Sequence, residues 1–349
     1  MTIKVETEYL RGYATRLENN ADLALEQLAG YVRQHCFDMT GLNGVLDKIQ
    51  PSLTEVAQGM VDLIGAFQQA LRRTADNLRR SADAYDETDY GNAEQIWIRI
   101  GEGHMPRTWV GRDVASAGPT TSGGALLYLD APVFTPEIGE VTEAIGGGFE
   151  LAISAIKKFT GYDVMAELGP VLLGDWGALR RIGAAWNEVE EAWRAVAVDV
   201  SAGMDVLSDH WDSSPLDALG ASRAFDHHIR ARWMTALDAA AQQADAMEQI
   251  CEYLADMYEH TVKSIIWMVQ VALERVMKMI KSLMMVRNLK QFAEAVWEVG
   301  ADLIGLIQDG IELAIGQVQM FAQGAQMSGS ALRMLRNEAD GDFGVLQGG

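Results

Sequence analysis

Apolar residues recur along this chain at steps of three and four, the spacing that gathers them on one face of an α-helix. Leu10, Ala14, Leu17, Ala21, Ala24, Leu28 and Tyr31 form one such seam. The run HCFDMTGLNG then supplies turn residues, and Pro51 suits the first turn of a new helix, where its missing N–H is not needed. Leu53, Val56, Met60, Phe67, Leu71, Leu78, Ala82 and Tyr85 stripe that second helix, whose pattern dissolves at Gly91 and Asn92. Two amphipathic rods joined by a short turn predict an antiparallel hairpin over 1–90.

From 91 to 140 the texture changes. QIWIRIGEG and GALLYLDAPVF are short, β-prone and bounded by Gly and Pro, and ASAGPTTSGG reads as flexible. An irregular linker with room for a short β-hairpin is expected there, separating two units. Residues 141 to 175 read as one short helix with a Gly- and Pro-broken approach. Then Leu179, Ile182, Trp186, Val189, Trp193, Val196, Val200 and Leu207 sustain three–four spacing, with Gly203 the one gap in the seam. HWDSSPLDALG interrupts, and a second long helix runs from about Phe225 to about residue 285. A last helix covers roughly 288–325, and its Gly300, Gly305, Gly310 and Gly316 suggest tight packing against a neighbour. The expected architecture is all-α: two antiparallel helical hairpins joined by the linker. The second belongs to a bundle over 141–328 with an extra C-terminal helix, and residues 329–349 form a flexible tail.

With 349 residues, 49% of them hydrophobic, the chain can bury a large core. Its formal net charge of −21 disfavours nucleic acid as a partner, since that binding rests on clustered Lys and Arg. The two cysteines, Cys36 and Cys251, make no metal or redox motif and read as buried free thiols, with a single bridge left open. The N-terminus lacks an apolar h-region, so no Sec-type leader is expected, and SIIWMVQVAL is too short to span a bilayer.

Catalysis has no support: no phosphate-binding loop, nucleophile elbow or zinc-helix motif occurs, and no cofactor is expected. His227 and His228 are adjacent and point to different helix faces, a poor chelating geometry, so no metal is expected. Trp186 and Trp193, seven apart, read as core. Trp211, at the hairpin turn with Ser213 two residues on, is a functional candidate or a hydrophobic cap for the hairpin end. The Met-rich stretch 260–290 carries Lys263, Lys278 and Lys281 beside Trp267 and Met268, a surface for a membrane or partner helix unless it is core.

Two stretches resemble secretion families of actinobacteria. The hairpin ending in LRRSADAYDETD is similar to the EspC-type proteins of type VII (ESX) secretion, with Tyr85 and Asp89 filling a Tyr-x-x-x-Asp signal. Residues from about 172 to 285 resemble the Trp-X-Gly hairpin family in layout, with Trp211, Ala224, Phe225 and Trp233 in place and Ser213 where that family has Gly. The resemblance implies a non-enzymatic substrate or accessory, exported without a cleavable leader after residence in the cytoplasm. Its partners would be the secretion ATPase and machinery, and another helical hairpin protein or itself. If the two hairpins pack antiparallel, Tyr85 falls near Trp211 and one chain makes a composite surface. A membrane-active effector inserting 141–160 and 260–325 is the alternative, and an intracellular helical scaffold a third.

Overall fold

The computed structural model describes residues 5–99, 123–139, 149–211, 220–283 and 289–341. It is all-α: among the described residues the only β pairing is an isolated antiparallel bridge between Val5 and Trp211. The first rod comprises α1 (Thr7–Asn19) and α2 (Leu25–Tyr31), each followed by a single π-helical turn, Asn20–Ala24 and Val32–Cys36. Every residue of its predicted seam is buried. Gly41 (φ 94°) and Gly44 (φ 61°) make the turn in left-handed backbone that costs a side chain dearly, and the Gly44 α-carbon lies under the Pro170 carbonyl.

The second rod, α3, runs Gln50–Arg99 and is about 75 Å long. It therefore passes straight through Gly91 and Asn92, where the sequence pattern stops. Two poor helix formers cost an established helix roughly 1 kcal/mol each, too little to end it. Antiparallel pairing with α1 is laced by Asp22 to Arg72 and by Glu18, which grips Arg79 through both carboxylate oxygens. The Arg79 hydrogen bonds hold the Glu18 carboxyl below its ordinary range.

Residues 123–139 form neither a hairpin nor a free linker. They are an extended strap tied down by side chains. Asn19 and Gln27 donate to the carbonyls of Gly123 and Leu127, the Tyr31 hydroxyl donates to that of Asp130, and the Asp175 carboxylate accepts the Glu137 N–H. Asn20, in the first π turn, is a buried junction. Its amide donates to Arg16 O and to Asp199, while its oxygen accepts from Ala125 N.

Two short helices, not one, follow: α4 (Glu150–Thr160), closed by Gly161 at φ 77°, and α5 (Val164–Leu172), whose first turn Asp163 caps by accepting from Ala166 N. The long second hairpin is α6 (Trp176–His210) against a continuous rod made of α7 (Ala221–His227), a π turn (His228–Trp233) and α8 (Met234–Leu283). The last helix, α9, spans Leu289–Gly341. It extends well beyond residue 325, and residues 329–341, expected as tail, are helix docked in parallel along α3. There Leu332 faces Gly59, and Arg333 and Arg336 pair with Glu55 and Asp62. Packing against α3 stabilises a glycine- and serine-rich segment whose local propensity is weak.

Among the described residues all the buried apolar side chains form one contiguous core, so the rods of 1–90 and of 141–328 share it. Phe67 of α3 packs edge-on against Trp193 of α6 (5.1 Å) and Trp233 (5.9 Å). The Trp193 indole N–H points at the Met60 sulfur. Where α1 crosses α6, Gly203 leaves room for the Tyr13 ring and the Arg16 stem. Tyr13 donates to Val200 O, and Arg16 and Asn20 meet Asp199. Gly300 and Gly310 likewise lie against Thr160 and Ile265, but Gly305 and Gly316 face open space, so only two of these four glycines serve packing among the described residues. Both cysteines are free and buried, and burial pushes both thiols up.

Gly203→Ala is therefore expected to destabilise the fold by about 1–3 kcal/mol in denaturant unfolding, because the new methyl meets a buried ring. Gly305→Ala, in open space on a helix, should be neutral or stabilising by up to ~1 kcal/mol.

A second expectation concerns the acidic face shared by α6 and α8. Burial, then Asp245, Glu190, Glu252 and Glu191, push the Glu248 carboxyl above its ordinary 4.5. The folded chain thus holds a proton that the unfolded chain has released, and this contribution to stability falls as pH rises through and above that range. Glu248→Gln should raise the melting temperature relative to the parent at neutral pH, and the gap should close near pH 4. A constant gap would contradict the assignment.

Candidate functional site at the Tyr85 pole

The N-terminal segment gathers three rods at one end of the molecule. Glu6 N–H donates to His210 O at 3.1 Å, next to the Val5–Trp211 bridge. The Glu6 carboxylate lies 3.0 Å from His210 Nδ1, and the Tyr9 ring stacks on the His210 ring with centroids 3.5 Å apart. On its other side the same turn of α1 meets α3: Thr7 Oγ1 donates to Asp86 at 2.9 Å, and the Arg11 guanidinium reaches Asp83 (2.7 Å) and Asp86 (2.6 Å). Burial opposes the Arg11 charge, but these two carboxylates hold its pKa above the usual value.

Tyr85 lies between those two aspartates in sequence, half-buried and packed against the core edge. Asp89 is on the helical part of α3, so it follows Tyr85 by one turn on the same face; its side chain lies outside the described residues. The pair is not at a fraying end, since α3 continues for ten residues past Asp89. Trp211 sits at the same pole, because α1 contacts the Tyr85 turn of α3 on one side and the Trp211 end of α6 on the other. Trp211 is only 6% exposed and packs on Phe225 with centroids 5.8 Å apart. It closes the hairpin end by burial and offers no open aromatic face. Ser213 lies outside the described residues.

Sequence reasoning missed Glu6, Tyr9, Arg11 and His210. Glu6 and His210 are separated by 204 positions, and no local pattern couples them. The acid-rich ending ADAYDETD was the one visible hint that a cation would be needed nearby.

The Met-rich segment is divided by face. Val262, Ile265, Ile266, Val269, Leu273 and Val276 are buried, while Trp267 is 64% exposed and Met268 half-buried. Lys263 pairs with Glu259, which Arg180 also holds, and those two hydrogen bonds keep the Glu259 carboxyl below its ordinary range. Lys278 lies 3.9 Å from Glu274, and Lys281 is exposed on the last turn of α8. Among the described residues no helix is long and apolar enough to cross a membrane, and no group of three or more His, Cys, Asp or Glu is placed to hold a metal.

No protein family, curated protein or solved structure matches this chain.

Proposed function

We propose that this chain is a non-enzymatic substrate or accessory of a type VII secretion system, exported through a signal built on Tyr85 and Asp89. One observation carries the reading: an aromatic and an acid one turn apart stand on a long helix at the pole where α1 also gathers the Trp211 end of α6. A ring supplies contact area with little entropy to lose, and a neighbouring carboxylate supplies one orienting, charge-assisted hydrogen bond. The partners would be the secretion ATPase and its machinery. The protein would be made in the cytoplasm, folded there, and found outside the cell.

Asp89→Ala and Tyr85→Ala are expected to retain the protein in the cell. Because Tyr85 is half-buried, its replacement by Ala also costs some packing, so Asp89→Ala is the cleaner probe. Its melting curve should match the parent while export is lost. Export at parental level by the Asp89 variant would refute the signal, and so would recovery of the protein only from the cytosolic fraction.

A second reading, a membrane-active effector, draws on outward-facing Trp267 and Trp297, with Lys263, Lys278 and Lys290 exposed on the same two helices. Trp and Lys together suit a headgroup interface. It predicts dye release from liposomes by the purified chain, dependent on Trp267, and intact vesicles from neutral to acidic pH would exclude it.

A further inference from the structure

The outward face of α9 bears an apolar row that nothing among the described residues covers. Leu306, Leu313, Met320, Met327 and Met334 recur every seven residues and are between 42% and 73% exposed. The row is about 42 Å long, and a strict seven-residue repeat keeps it on one line only for a helix that coils around a partner. Three residues after each large side chain stands a small or polar one: Asp309, Gly316, Gln323, Ser330 and Asn337. Gly316 has nothing within 4 Å of the place its side chain would occupy, so nothing among the described residues calls for it, although it costs the helix roughly 1 kcal/mol against Ala. Between Glu312 and Arg333 no charged residue occurs, in a chain where 22% are charged. Depletion of charge with enrichment of Met is the composition of an interface centre, not of a solvated helix face.

We infer that this face binds a second copy of the chain, α9 against α9, antiparallel about a two-fold axis near Ala322. Of the two in-register orientations, only the antiparallel one makes the size pattern complementary to itself, and the two-fold near Ala322 is the register that pairs the most of the row. Met327 of one copy lies across from Gly316 of the other, Leu313 across from Ser330, and Met320 across from Gln323. Parallel pairing would set large against large, small against small, and Asp309 against Asp309. Charge agrees: the row starts acidic with Asp309 and Glu312 and ends basic with Arg333 and Arg336, so antiparallel copies bring opposite signs together at both ends. Arg333 pairs with Glu55 and donates to Ser330, and Arg336 pairs with Asp62 and Asp340, yet both side chains stay about half exposed. One patch serving both subunits is the geometry of a closed dimer. It sits on α9, apart from Tyr85, so it stands whether or not the export reading does.

Sedimentation velocity of the full chain across the micromolar range should show a monomer–dimer equilibrium. Met320→Lys and Met327→Lys should each weaken it at least tenfold with helicity and melting temperature unchanged, since both side chains are outside the core. Orientation is read by disulfide capture, because both native cysteines are buried. Leu313→Cys mixed with Ser330→Cys should cross-link on oxidation, while each variant alone should not. A chain that stays monomeric overturns the inference, as does a dimer indifferent to both lysines or one in which Leu313→Cys cross-links alone. So does a monomer that uses this face only for vesicles or for a different helical protein.

Discussion

The arrangement depends on how closely α1 can approach α6. Gly203 is where they cross, and the Tyr13 ring fills the space that a side chain would have taken. The contact is then tied by polar groups that no water reaches easily: the Tyr13 hydroxyl to Val200 O, and Asn20 and Arg16 to Asp199. A buried donor left unpaired costs about 1–3 kcal/mol, so these bonds specify the crossing more than they add to its strength. From that anchor α1 runs outward between α3 and α6. Its N-terminal turn can then hold Asp83 and Asp86 on one side and His210 on the other. The pole is thus a consequence of a crossing some distance down the rod.

The same crossing fuses what reads in sequence as two hairpins. Once α1 lies on α6, the stripes of α3, α6 and α8 converge, and Phe67, Trp193 and Trp233 meet in one aromatic knot. The strap adds to this. Arg180, on α6, binds Glu137 of the strap and both Asp256 and Glu259 of α8. Burial opposes its charge, but the hydrogen bonds it donates to Glu259, Asp256 and Glu137 prevail and raise its pKa. Strap, hairpin and rod are thereby joined through one guanidinium.

Much of this was legible because helical burial has a period. The seams of α1 and α6 and the burial of Trp186 and Trp193 follow from three–four spacing alone. What was not legible was decided by tertiary contact. Gly91 and Asn92 look like a stop, but helix continuation is cheap once the rod exists. GALLYLDAPVF alternates as a strand would, yet its partners are side chains of Asn20, Gln27 and Tyr31 and not a second strand, and side-chain partners leave no periodic trace. The last turns of α9 look frayed because Gly329 and Ser330 are poor helix formers, whereas Leu332, Arg333 and Arg336 find α3.

The candidate site divides along the same line. That Tyr85 and Asp89 share a face needs only helical geometry, so the spacing itself states it. How far the phenol stands out is another matter, set by Thr7 and Arg11 of α1, which cover the flank of α3 beside it. Trp211 shows the opposite case: a turn tryptophan that looked available from sequence is closed off by Phe225 and by the backbone bridge to Val5. A motif read by a partner must be both spaced and uncovered, and only the first of these conditions is written locally. If the Tyr85 face is an address, its accessibility is a property of the folded bundle. A chain with α1 detached would carry the same two residues with a different flank, so a partner that binds this face would meet a different surface in the packed and the unpacked chain.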